Sequence, residues 1–227
     1  IRAVVDSPRV DAGHRLFCYA LTESAWVIGG AISNGGAVGQ WASDAFVDGK
    51  TATRDTSSAH TSIEDDSDIA DSALELAASV PEGSDGLVML PYLLPERAPL
   101  WDPGLAGAYL GVHHRHTRAH FIRAAIEGVC MQMRLILDQL DSVSRVERVH
   151  ATGGAFRSSL WREIMAATLD RPFYVFDSVD GTALAAAALG LFAINEATSP
   201  DDAVAQLGGA KWHHQRLIEV SPGMVSR

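Results

Sequence analysis

An α/β fold, built as one mixed sheet with helices on both faces, is what this sequence predicts. Two observations carry that reading. Three short apolar runs at the start are followed by helical periodicities that alternate with further short runs, giving the order β-β-β-α, then α-β-α-β-α. Three glycine-bearing turns also fall where helices begin: Gly29 to Gly36, Thr152-Gly-Gly154, and Asp177-Ser-Val-Asp-Gly181. In sheets of this kind ligands sit off the carboxyl ends of the strands, and all three turns belong on that edge.

In chain order, Arg2 to Asp6, Arg15 to Ala20 and Ala25 to Ala31 read as strands of a β-meander, with turn residues Pro8, Asp11 and Gly13, then Thr22 to Ser24, between them. Val38, Trp41, Ala42, Ala45 and Phe46 have helical spacing. Asp48 to Asp66 is polar and reads as loop, and Asp68 to Val80 as a helix on Ile69, Ala73, Leu76 and Ala77. Gly86 to Leu90 is a strand, and Pro91 to Gly111 is irregular, with four prolines. Such a long apolar excursion is more often packed and functional than disordered. Arg118 to Leu140 is the longest helix, its core stripe being Ile122, Ile126, Val129, Met133, Ile136 and Leu140. A strand at 146–151, a helix at 158–169, a strand at Phe173 to Phe176, the helix Thr182 to Asn195 and a short helix over Pro200 to Leu207 complete the pattern. Gly208 and Gly209 end the last one.

The stretch His150-Ala-Thr-Gly-Gly-Ala-Phe-Arg-Ser-Ser-Leu-Trp161 carries the chemistry. A buried strand breaks at a glycine pair and a helix starts. Glycines let backbone approach phosphate oxygens with no Cβ in the way. The free N–H groups and dipole of a helix start favour negative charge. No GxxxxGK[ST] sequence is present, so a Walker-type loop is not the route.

Composition narrows the classes. With 18 basic and 28 acidic residues the net charge is −10, which argues against nucleic-acid or anionic membrane surfaces but not against a phosphate site made of backbone amides. An apolar content of 47% with 20% charged residues is that of a soluble globular chain, and no apolar run reaches membrane-span length. Cys18 and Cys130 sit in apolar-patterned segments and read as buried thiols. The chain opens at Ile1 in strand-like sequence, as a piece of something longer would.

Four blocks then carry a resemblance. They are Val27-Ile-Gly-Gly-Ala-Ile-Ser-Asn-Gly-Gly36 with Gln40-Trp41; Leu90-Pro-Tyr-Leu-Leu-Pro-Glu-Arg-Ala-Pro-Leu-Trp-Asp-Pro103; Arg123-Ala-Ala-Ile-Glu-Gly128; and the glycine pair with Arg157-Ser158 through Trp161. In this order they resemble the carboxyl-terminal domain of the FGGY carbohydrate kinases, which have the ribonuclease-H-like fold of actin and hexokinase. Phe17-Cys-Tyr-Ala20 and the first block look most like gluconate kinases, with xylulose, ribulose and glycerol kinases nearby. The chain departs from the family pattern at Pro95, at Ala106-Gly107 and at Ala185-Ala-Ala187.

The resemblance implies that residues 1–227 are a nucleotide-binding domain with an irregular insertion at about 48–117. It further implies that an amino-terminal domain, holding the sugar site, a phosphate loop and the catalytic aspartate, lies outside this chain. The expected reaction is transfer of the ATP γ-phosphate, with Mg²⁺, to a sugar or sugar-acid hydroxyl such as that of D-gluconate. By position, Gly36 and Gln40 match contacts near the outer phosphates, Gly153 and Gly154 the α-phosphate, and Ser158 the adenine edge. Phe156 and Arg157 match the wall of the adenosine pocket. No catalytic or metal-binding residue is expected in this chain, and alone it should be inactive. Its partners would be the amino-terminal domain, nucleotide and sugar in the cytoplasm; a homodimer is left open. A non-catalytic nucleotide-binding module is the alternative from another class.

Other clusters have plainer readings. Glu96, Arg97 and Asp102 are expected to hold their loop together. His113, His114, His116 and His120 read as solvated or hydrogen-bonded histidines, since no carboxylate or thiol pattern completes a metal set. Asp65, Asp66 and Asp180 read as residues at helix starts.

Overall fold

The computed structural model describes residues 1–47, 63–176, 181–207 and 215–219, the side chains of 63–70 and Gln215 excepted. They form two compact units, one of residues 1–146 with 167–170, the other of 147–166 with the described part of 171–220. The turn at 177–180, with Asp180, lies outside the described residues, as do Gly208, Gly209 and most of the polar stretch after Asp48.

In the first unit, β1 (Arg2–Val5), β2 (Phe17–Ala20) and β3 (Trp26–Gly29) form a sheet in the order β1-β3-β2, both pairings antiparallel. This corrects the meander, in which β2 would be central. β3 takes the centre because it is the most apolar and most buried of the three, with Val27 and Ile28 at 6% and 0% exposure. The connection from β1 to β2 is long enough to allow it, and Asp11 folds it by accepting the N–H groups of Gly13, Arg15 and Leu16.

Helix α1 (Gly36–Phe46) follows the glycine turn, and α2 (Ile63–Ala78) starts earlier than its periodicity suggests, placing Asp65 and Asp66 near its start. β4 (Val88–Leu90) pairs antiparallel with β5 (Ala108–Leu110), a three-residue strand hidden in the irregular stretch. Helix α3 (Arg118–Val143) is the spine of the unit: Ile122, Ile126, Val129, Ile136 and Leu140 are each at most 2% exposed. Ile136 and Leu140 pack with Ile28 and Ala98 in one core cluster.

The block Arg123 to Gly128 now has physical reasons. Arg123 Nε donates to Glu127 Oε1 at 2.8 Å, a pair buried inside the unit. The same carboxylate accepts the Gly83 N–H at 3.0 Å and the Ser84 hydroxyl at 2.9 Å. It thereby holds a turn in which Gly83, Ser84 and Asp85 all have left-handed φ, at 75°, 47° and 52°. A Cβ on Gly128 would overlap the Met89 carbonyl, so glycine there lets β4 lie against α3.

The second unit holds β6 (Val149–Ala151), α4 (Ser159–Leu169, except its last turn), β7 (Phe173–Phe176), α5 (Gly181–Ala193), α6 (Pro200–Gln206) and β8 (Gln215–Ile218). β6 and β7 are parallel and β8 is antiparallel to β7, so the mixed pairing is confined to this sheet. Among the described residues the strands make three separate hydrogen-bonded sheets, not the single one drawn from the sequence order. Strands of three or four residues offer too few ladder bonds for the alternation of residue types to fix which strand pairs with which. On β7, buried Phe173 and Val175 alternate with half-buried Tyr174 and Phe176. α6 has the cap expected of Ser-Pro: Ser199 Oγ accepts the Asp202 N–H at 3.0 Å, with Pro200 in the first turn.

Removing one partner of a buried ion pair leaves an uncompensated charge. Glu127→Ala, which also strips Gly83 and Ser84 of their acceptor, is therefore expected to cost about 3–5 kcal/mol. Urea denaturation checks it; a loss below about 1 kcal/mol would show that the pair is not structural.

Candidate functional site

The predicted residues fall on two turns, one in each unit. In the first unit the chain leaves β3 through Gly29 and Gly30, and both glycines are required by packing. A Cβ on Gly30 would come within 2.9 Å of Ala98 Cβ and of Ile136 Cγ2, and one on Gly29 would overlap the Ile1 carbonyl. The turn then rises into α1, which has no side-chain cap and no acidic residue in its first turn. At Gly36 a Cβ would meet nothing within 4 Å. Packing does not explain that glycine. Gln40 is exposed, and its Nε2 donates to Asp44 Oδ1 at 2.8 Å.

This turn is fastened to the proline-rich loop. Asn34, fully buried, donates from Nδ2 to Leu94 O and to Glu96 Oε2 and accepts on Oδ1 the N–H groups of Leu93 and Leu94. Glu96 is 4% exposed and also accepts its neighbour's N–H, from Arg97. Arg97 reaches back to Ser33 Oγ at 3.2 Å and Ile32 O at 2.9 Å. Glu96 and Arg97 hold loop to turn, and Asp102 closes a local turn on Gly104 N–H at 2.8 Å. Sequence reasoning quoted Asn34 within its block but gave it no role.

In the second unit β6 ends at Ala151, and Gly153 has φ 125° and ψ 164°, a region essentially closed to residues with a side chain. Gly154 opens a 3₁₀ turn to Arg157, with Phe156 N–H bonded to Gly153 O and Ser158 N–H to Ala155 O. A Cβ at Gly153 or Gly154 would meet nothing within 4 Å. Ser158 precedes α4 and accepts the Trp161 N–H on its hydroxyl at 3.4 Å, which is the geometry of an N-cap. Phe156 is half-buried with its ring edge-on to Phe173 at 5.6 Å, and Arg157 is exposed. Arg162, which sequence reasoning missed, donates from one Nη to the carbonyls of both Phe156 and Arg157.

The other candidates resolve as structural groups. His120 Nδ1 lies 3.0 Å from Thr117 Oγ1 and accepts the Thr117 N–H, closing a capping box at the start of α3, while its Nε2 meets Asp85 Oδ2 at 3.2 Å. His116 Nδ1 accepts the His113 N–H at 3.0 Å. Among the described residues no set of three His, Cys, Asp or Glu side chains could hold a metal ion. Cys130 is buried, and burial, then the Glu127 carboxylate, push its thiol well above the usual range, which makes it inert; Cys18 is half-buried. No described helix is long and apolar enough to cross a membrane.

Two glycine turns leading into helices, with open space beside Gly36, Gly153 and Gly154, mark the candidate site of this α/β chain. The chain belongs to the FGGY family of carbohydrate kinases, whose C-terminal domain model matches residues 9–194. It is 39% identical over 218 residues to the gluconokinase of Bacillus subtilis (strain 168), covering 94% of this chain and 40% of that protein. The gluconate kinase structure from Lactobacillus acidophilus superposes with a TM-score of 0.77 at 24% identity, covering 99% of this chain and 41% of that one. The Plasmodium falciparum glycerol kinase with ADP has a TM-score of 0.66 at 17% identity, over 91% and 39% of the two chains. The fold is the α/β, ribonuclease-H-like fold of actin and hexokinase shared with these kinases. The chain spans about 40% of the length of its relatives.

The two glycines of the second turn should respond differently to a methyl group. Gly153→Ala is expected to destabilise by about 1–3 kcal/mol, because alanine is strained at that φ and ψ. Gly154→Ala, with open space and no positive φ, should stay within about 1 kcal/mol of wild type. Thermal melts of both variants decide it, and an equal loss in the two would contradict the geometry.

Proposed function

We propose that this chain is the ATP-binding part of a cytoplasmic sugar kinase whose acceptor is D-gluconate. The observation that carries the nucleotide reading is the turn at Gly153 and Gly154. One glycine is demanded by backbone conformation, and at both the Cβ position opens on empty space rather than on a packing partner. Gly153 and Gly154 are assigned to the α-phosphate, Ser158 to the adenine edge, Phe156 and Arg157 to the adenosine wall, and Gly36 and Gln40 to the outer phosphates. The uncapped start of α1 supports the last assignment, since its N–H groups favour an anion.

ATP, when bound, supplies the phosphoryl group, and the residues of this chain bind and orient it. Mg²⁺ is the companion of ATP that family membership implies. The sugar site and the base that takes the hydroxyl proton are assigned to an amino-terminal domain, in keeping with relatives about two and a half times as long. Gluconate is favoured among acceptors by the 39% identity to a gluconokinase.

Two tests address separate parts of this reading. Gly154→Asp sets a carboxylate against the α-phosphate position. ADP affinity measured by calorimetry should fall at least about a hundredfold while the melting temperature holds; unchanged affinity would place the nucleotide elsewhere. The complete kinase, offered gluconate, xylulose, ribulose and glycerol separately, should release ADP with gluconate. Turnover with another sugar would correct the acceptor, and silence with all four despite bound ADP would favour a non-catalytic module.

A further inference from the structure

We propose that Arg162 is a positioning residue of the nucleotide turn: it fixes the Gly154–Arg157 turn from α4 and draws two carbonyls away from an incoming phosphate. The inference rests on the nucleotide reading of that turn. One Nη of Arg162 donates to Phe156 O at 2.8 Å and to Arg157 O at 2.9 Å. These are successive carbonyls, at the point where the 3₁₀ turn hands over to α4. A trans peptide sets its N–H opposite its C=O, so fixing two carbonyls also fixes the planes of the two peptides that follow them. The rest of the turn is held lightly: Phe156 N–H to Gly153 O at 3.2 Å, Ser158 N–H to Ala155 O at 3.3 Å, and Trp161 N–H to Ser158 Oγ at 3.4 Å. The two guanidinium bonds are the shortest of the set and are charge-assisted, hence the strong ones.

The chemistry of the ligand gives this clamp a purpose. Carbonyl oxygens are partial negative charges and repel a phosphate. Arg162 occupies two of them and places a permanent positive charge beside a turn that has glycine, alanine and phenylalanine ahead of Arg157. Arg162 itself makes no contact assigned to the nucleotide; it acts through the turn.

The test compares wild type, Arg162→Gln and Arg162→Lys by amide hydrogen exchange over residues 154–158 without nucleotide, and by calorimetry with ADP and with adenosine. Arg162→Gln should speed exchange of these amides and weaken ADP binding, each roughly ten-fold, with adenosine binding changed far less and Arg162→Lys recovering part of both losses. Unchanged exchange in Arg162→Gln would overturn the clamp, whatever ADP does. Faster exchange with unchanged ADP affinity, or with equal losses for ADP and adenosine, would overturn the positioning role. Faster exchange in a protein whose wild type binds no ADP would uphold the clamp and overturn the nucleotide reading. Should Arg162→Gln fail to unfold cooperatively, Arg162→Lys against wild type decides by the same criteria, with a change of about threefold expected.

Discussion

The four hydrogen bonds of Asn34 are the constraint on which the first unit's glycine turn depends. A side-chain amide has two N–H donors and two acceptor positions, and Asn34 uses all four inside the protein. Its partners lie about sixty residues on, in a loop whose prolines at 91, 95, 99 and 103 supply no N–H of their own. Such a loop satisfies only part of its polar groups by itself, through bonds such as Leu93 N–H to Pro91 O and Gly104 N–H to Asp102. Asn34 takes two of its N–H groups and returns a bond to Leu94 O and another to the Glu96 carboxylate. With Arg97 reaching back to Ser33 and Ile32, turn and loop become one object.

That constraint separates the glycines of the chain by cause. Gly29, Gly30 and Gly128 are glycine because a Cβ would strike backbone or a core side chain. Gly36, Gly153 and Gly154 have empty space where a Cβ would stand, and they lie at turns that open helices. A buried anchor and an open backbone surface are the two halves of what a phosphate-binding turn requires: rigidity underneath and N–H access above. The second turn has its own anchor in unit two, where Arg162 plays toward Phe156 and Arg157 the part that Asn34 plays toward the loop.

Much of the element order was legible from the sequence, because long periodic segments are set by burial. The stripe Ile122, Ile126, Val129, Met133, Ile136, Leu140 needed only the period of a helix, and all of it but half-buried Met133 is core; the strand at Phe173 to Phe176 needed only its apolar run between turn residues. Strand pairing was not legible. β1 and β2 are both four residues long, and nothing local says that β3 will lie between them. β5 and β8 were missed because three or four residues beside prolines or past a glycine pair carry no period of their own. At the candidate site the glycines, Arg157 and Ser158 were visible as a pattern, with roles that came from the family resemblance. The anchors were not: Asn34 and Arg162 look like ordinary polar residues until a partner sixty residues away, or a carbonyl pair five and six residues back, gives them meaning. Glu127 has the same character, since a glutamate in the middle of an apolar helix is explained only by Arg123, Gly83 and Ser84.

The central claim is that open glycine turns on this chain receive a nucleotide, and amide chemical-shift mapping during an ADP titration tests it most directly. The account predicts shifts concentrated on the backbone amides of 153–158 and 36–40. Saturating ADP with no shift at Gly153 or Gly154, or with shifts confined to the polar cleft lined by Val4, Asp6, Arg9 and Ser144, would contradict it.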